Sequence, residues 1–167
     1  MAEHTRPRGR PCSHRVYQLD CDDYDRLVRH AAGRCQICAV PPEQTKHGFL
    51  VIDHDDAVGQ WAVRGLLCSN CNTGLPTGSM PAHATAYLTQ PWWRSEAERR
   101  GQDTAPWPEP PSGSVVAACR GLRWHREGDS WRHVAKYRGA PRSWWWLQRH
   151  YGPHNMRLVK SSEEKTA

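Results

Sequence analysis

Four of the seven cysteines form two Cys-x-x-Cys knuckles, Cys35-Gln36-Ile37-Cys38 and Cys68-Ser69-Asn70-Cys71, with 29 residues between them. Thiolates at this spacing supply the four ligands of a tetrahedral structural zinc. A redox Cys-x-x-Cys normally occurs once and opens a helix after a strand, so two copies suit zinc better. Cys12, Cys21 and Cys119 have no such neighbour in the sequence and read as plain thiols. Between the knuckles lies Asp53-His54, and Asn72 directly follows the last cysteine. Taken singly, an Asp-His pair in a polar loop is more often solvated than catalytic, and Asn72 would serve as a helix cap. Taken together, a zinc clamp would hold the three in fixed relation, and a ribbon built only for stability has no need of them.

The segments Ile52-Asp53-His54-Asp55-Asp56 and Val63-Arg64-Gly65-Leu66-Leu67-Cys68-Ser69-Asn70-Cys71-Asn72 resemble the recombination endonuclease VII family, a zinc-bound branch of the HNH, or ββα-metal, nucleases. The resemblance runs from about Tyr17 through Gln90. It implies a DNA endonuclease, with branched DNA the best-known target of the family, and products bearing a 5′-phosphate and a 3′-hydroxyl. It implies that Asp53 and Asn72 hold one catalytic Mg²⁺ through a charged and a neutral oxygen. His54 would then be the general base acting on the attacking water. The family often shows Asp-His-Asp-His; here the fourth position is Asp56, which leaves the role of the second histidine open. Arg64 reads as a phosphate contact or as a strand arginine paired with Asp55 or Asp56. Asp55 could assist the metal, Asn70 reads as structural, and His47 as solvated.

The elements that must position these residues are legible in outline. Tyr24, Leu27, Val28 and Ala31 recur at helical spacing, with Asp22 as N-cap and Gly33 as terminator. Phe49–Ile52 and Ala62–Leu67 read as a β-hairpin around a long polar loop, followed by a helix opening near Ser69. Ala82–Gln90 reads as a further helix, stopped by Pro91. The expected fold class is α+β: a small zinc-stabilised ββα-metal (HNH-type) domain plus a C-terminal helical module. The expected division is a disordered basic arm over 1–15, the nuclease-like domain over 16–90, a Pro-rich linker over 91–113, a basic Trp-rich helical DNA-binding module over 114–160 and a frayed tail over 161–167.

In the C-terminal module, residues 129–148 have helix-turn-helix spacing, with Val115–Arg123 as a supporting helix. Trp131 reads as core. Trp144, Trp145 and Trp146 cannot all face one core, because each helical step turns about 100°, so at least one is expected to be exposed. Arg142, Trp145 and Arg149 are, with Arg64, the candidate DNA contacts.

The whole composition bounds the function. The 167 residues carry a net charge of +6, only 38% hydrophobic residues, and nine Trp beside a single Phe. Residues 115–159 hold nine Arg or Lys against two acids, so the basicity lies in the tail and points to DNA as partner. A sparse core on a short chain calls for a staple such as a metal. No apolar run approaches the roughly 20 residues of a membrane span, and the basic N-terminus leads into no apolar segment, so the expectation is a cytoplasmic protein in a reducing compartment. Oligomeric state is left open, a homodimer included. The rival reading is a non-catalytic zinc-containing DNA-binding regulator, which leaves Asp53, His54 and Asn72 without a task.

Overall fold

The computed structural model describes residues 12–75, 82–134 and 139–160. The chain divides into two compact units, residues 1–100 and 101–167. The basic arm up to residue 11, the segment 135–138 of the expected helix-turn-helix and the tail 161–167 lie outside the described residues.

The first unit is built on the antiparallel hairpin of β1 (Val51–His54) and β2 (Val63–Leu67). An irregularity at Arg64 breaks the strict alternation of β2, and each side of the hairpin meets its own core. Val63 and Leu66 pack with Leu19, Leu27 and Ala31 of the N-terminal region and with Trp92. Leu67 packs on the other side with Cys35, Ile37, Cys68, Ala84 and Tyr87. Helix α1 (Cys21–His30) covers the first side. Its N-cap is Asp20 rather than Asp22: Asp20 accepts from the Asp23 amide while Asp23 reaches back to the Asp20 amide, a reciprocal capping box. Gly33, at φ +66°, takes the left-handed conformation that ends the helical region. The short helix α2 (Ser69–Gly74) follows β2 immediately and packs against both strands, and α3 (Ala82–Thr89) brings Tyr87 to the second side.

The stretch read as linker is partly structured. Trp92–Arg99 forms helix α4, entered from Pro91 and packed on β2. Its Glu96 carboxylate gathers Arg26 (3.0 Å), Arg99 (2.7 Å) and Arg100 of the two helices, and Asp23 pairs with Arg26 and Arg100. The arm also has order at its end: Ser13–Tyr17 form a 3-10 turn with His14 buried.

The C-terminal unit corrects the helical reading. It holds an antiparallel sheet in the order β5-β4-β3-β6, from β3 (Val115–Ala117), β4 (Arg123–Glu127), β5 (Ser130–His133) and β6 (Arg157–Lys160), with a single α-helix, α5 (Trp144–Tyr151), among its described residues. Val115–Arg123 is therefore strand and turn, not a supporting helix, and the expected first helix of a helix-turn-helix is β5. The physical reason is period two. In β4, Trp124 faces the core between Arg123 and His125, and in β5 Trp131 does so between Ser130 and Arg132, around a turn at Gly128, φ +60°. Trp144, Leu147 and Tyr151 of α5 join these tryptophans with Val116, Ala118 and Met156. The Pro-rich approach is held to the same core. The Trp107 amide donates to Gln148 at 2.8 Å, Trp144 Nε1 donates to the Trp107 carbonyl at 3.0 Å, and Trp131 Nε1 donates to Glu109 at 2.9 Å.

Candidate active site and metal centre

The four knuckle thiols converge. Sγ atoms of Cys35, Cys38, Cys68 and Cys71 all lie within 4.8 Å of one another, and those of Cys38 and Cys68 are 3.7 Å apart. Four sulfurs about 2.3 Å from a tetrahedral zinc stand about 3.8 Å from each other, so the donor set and its spacing fit that ion. Local backbone geometry builds the cluster. Ala39 turns left-handed at φ 59°, with its amide bonded to the Cys35 carbonyl, while the Cys35 amide bonds to Val40. Cys68 is the N-cap of α2 and accepts from the Cys71 amide. Burial pushes the Cys35 thiol up, but backbone hydrogen bonds from Cys38, Cys68 and Ile37 outweigh it and bring it down to about 7. Burial and the neighbouring sulfurs hold Cys71 well above the usual thiol range.

The first knuckle is docked on β2 through Gln36. Its amide donates to the Leu66 carbonyl at 3.1 Å, and its side-chain oxygen accepts from the Leu66 amide at 2.8 Å. Gly65 makes this approach possible: a Cβ there would stand 2.1 Å from Gln36 Oε1 and 2.8 Å from the Tyr87 ring. The glycine of the Val-Arg-Gly-Leu-Leu run is thus required by packing on both sides.

Asp53 is 4% exposed and faces the same side of the hairpin. Its carboxylate accepts a fork from Arg64, Nε to Oδ2 at 2.7 Å and Nη2 to Oδ1 at 2.9 Å, and the Tyr87 hydroxyl donates to Oδ2 at 2.7 Å. Arg64 therefore pairs with Asp53, not with Asp55 or Asp56 as read from the sequence. The register shift between Asp53 and His54 explains it: Asp53 pairs with Gly65 and His54 with Val63, so Arg64 is the extra residue of a bulge. Burial lowers the Arg64 guanidinium and the Asp53 contacts more than restore it, leaving it raised. Burial, then the Asp53 charge, keep the Tyr87 phenol protonated as a donor. Of the four lone-pair positions of a carboxylate, these three bonds leave one, on Oδ1. Asp53 thus retains one charged-oxygen position of the kind that suits Mg²⁺.

His54 ends β1 with its side chain 23% exposed. Its Nε2 lies 2.9 Å from Asp56 Oδ1, and its ring meets Tyr17 edge-on at 5.2 Å. Asp56, at the position where the family often has histidine, is thus the partner of His54. Asp55 shapes the loop, accepting from the Ala57 amide at 3.0 Å, and its carbonyl takes the Val58 and Gly59 amides. Asn72 lies half-buried on α2, beside the hairpin. His47 is exposed, its ring against Phe49. Tyr87 and Tyr17 were not read from the sequence as site residues; an aromatic at helical spacing carries no sign of which carboxylate its hydroxyl will meet.

In the C-terminal unit, Trp144 is buried and Trp145 is 64% exposed. The Arg149 guanidinium lies over the Trp145 ring at 4.4 Å, and that of Arg142 over Trp146 at 4.6 Å, so Arg149 and Trp145 stack together while Arg142 stacks on the neighbouring, core-packed tryptophan. A concave face of the sheet is lined by Arg123, His125, Arg132 and His133.

Among the described residues, no helix is long and apolar enough to cross a membrane. No curated protein and no solved structure matches the chain. Residues 12–90, which hold the four thiols, the hairpin, Asp53, His54 and Asn72, match the family model of recombination endonuclease VII.

Proposed function

We propose that the protein is a metal-dependent DNA endonuclease of the HNH (ββα-metal) type that hydrolyses phosphodiester bonds, with His54 as general base. The observation that supports this best is the placement of Asp53 and His54 on a hairpin pinned between the two halves of the four-thiol centre, inside the segment matching the family. Zinc at the thiols would be structural. Asp53, through its remaining lone pair, and Asn72 would hold Mg²⁺, which when bound supplies positive charge to offset that developing on the phosphate. With Nε2–H donated to Asp56, His54 keeps a lone pair on Nδ1 to accept the proton of the attacking water. Asp56 and Tyr17 fix the ring's orientation. Arg64 and Tyr87 fix the Asp53 carboxylate. Arg142, Trp145 and Arg149 would engage DNA through phosphate charge and base stacking.

The test is cleavage of supercoiled, linear and four-way-junction DNA, with and without Mg²⁺. His54→Ala is expected to lose about 10² to 10⁴ in rate while keeping its zinc and its DNA affinity; cutting at the parental rate would remove His54 from the mechanism. A second reading, a zinc-containing DNA-binding regulator without catalysis, draws on one observation: Asp53 is buried and already engaged by Arg64 and Tyr87. It predicts binding without EDTA-sensitive cutting of any of the three substrates.

A further inference from the structure

We propose that Cys12, His14 and Cys21 form a second zinc site, separate from the four-thiol centre. One ligand atom from each residue falls within 4.8 Å of the other two, although nine positions separate the two cysteines. The fold brings them together by a specific route. Ser13–Tyr17 coil into a 3-10 turn, Gln18 reverses the chain in the left-handed conformation at φ 61°, and Asp20 caps α1 so that Cys21 is its first residue. His14 is 2% exposed at the centre of this turn, its ring stacked on Tyr24 at 5.1 Å.

The histidine has the arrangement of a metal ligand. Its Nδ1 lies 2.9 Å from the Leu19 carbonyl; donating there fixes the tautomer and leaves the lone pair on Nε2. Metal-bound histidines almost always donate their second nitrogen in this way. Two thiolates and an imidazole select a borderline-soft ion of the zinc type over Mg²⁺ or Ca²⁺, which take oxygen donors. Ligands in a tetrahedral zinc site stand roughly 3.3–3.8 Å apart, so closing the present spread onto an ion requires movement of only about 1 Å. Three protein donors leave the fourth position to water or to a donor outside this set. The segment such an ion would tie carries Tyr17, whose ring packs against His54, so the site would also fix one wall of the His54 environment.

The test uses the full chain, purified under reducing conditions, stripped of metal and reloaded with excess zinc. The expected content after desalting is two zinc ions per chain, falling to one in Cys12→Ser, in Cys21→Ser and in His14→Ala. Alkylation of the zinc-loaded parental protein, mapped by peptide mass spectrometry, keeps the test decisive if a variant fails to fold: zinc should protect Cys12 and Cys21 together with the four knuckle cysteines. One zinc per chain in the parental protein, or free alkylation of Cys12 and Cys21 while the knuckles stay protected, overturns the proposal. A Cys12–Cys21 disulfide accompanied by a single zinc overturns it as well.

Discussion

The Asp53 carboxylate shows how one residue serves the fold and the proposed chemistry together. Buried at the hairpin's bulge, it is balanced by the Arg64 fork and oriented by the Tyr87 hydroxyl. Removing one partner of a buried ion pair leaves an uncompensated charge and costs about 3–5 kcal/mol, whereas losing one hydrogen bond to a charged group costs about 1.5–3 kcal/mol. Arg64→Ala should therefore destabilise the first unit more than Tyr87→Phe does, and Arg64→Lys should recover only part of the loss because it lacks the fork. Urea unfolding of the three variants checks the order, and a Tyr87→Phe cost equal to that of Arg64→Ala contradicts it. The candidate Asp, His and Asn were legible in the sequence because their spacing against the cysteines is local. The Arg64 partner was not, since a one-residue bulge decides which of three nearby carboxylates it meets. Cys12 and Cys21 were read as plain thiols for a related reason: the histidine that joins them does so through a left-handed turn at Gln18, for which a Gln carries no signal.

At the scale of elements, the hairpin, α1, α2 and α3 follow from capping, period and punctuation, while α4 was hidden by the prolines around it. The Arg cluster on Glu96 ties α4 to α1. Hydrogen bonds from Arg99, opposed by burial and reinforced by Arg100 and Arg26, lower the Glu96 carboxyl from its ordinary 4.5 to about 2. A depressed acid contributes stability that is fully present above its unfolded value and is lost as pH falls toward the folded one, here between about 4.5 and 2. The contribution is at most about 3 kcal/mol. Parental protein should lose stability across this window faster than Glu96→Gln, and parallel curves would mean the cluster is not coupled to folding. The knuckles make a second, larger claim. Thiolate binding of zinc supplies folding free energy on the order of 10 kcal/mol in small domains, so chelation or Cys68→Ser should unfold the region from residue 35 to 75. Unchanged circular dichroism after loss of that zinc would contradict it. The C-terminal strands are not legible in the sequence because Trp residues recurring among polar and basic residues satisfy a loose helical reading as well as an alternating one. The left-handed turn at Gly128 is the local signal that favours a hairpin.

For the whole molecule, charge and architecture divide the work. Residues 101–167 carry 11 Lys or Arg against 6 Asp or Glu, which is +5 of the chain's +6. The candidate base, the candidate Mg²⁺ ligands and the four knuckle cysteines all lie in residues 1–100. Each unit has its own core: among the described residues the hairpin cores are built from Leu19 to Trp92, and the tryptophan core from Trp107 to Met156. A protein ending at Arg100 should accordingly fold, bind zinc and retain its chemistry while binding DNA weakly. The salt dependence measures the difference. Each phosphate neutralised contributes about −0.9 to the slope of log affinity against log salt, so five or six contacts from the C-terminal unit give a slope of about −5 for the full chain. Truncation should flatten that slope, and single-turnover cleavage at saturating DNA should change far less than affinity. Arg142→Ala and Arg149→Ala in the full chain should each reduce the slope by about one unit, and Trp145→Ala should weaken single-stranded DNA by about 1–3 kcal/mol without altering it. A slope that survives truncation would assign the phosphate contacts to the first unit, and would leave the Trp145 surface to a protein partner instead.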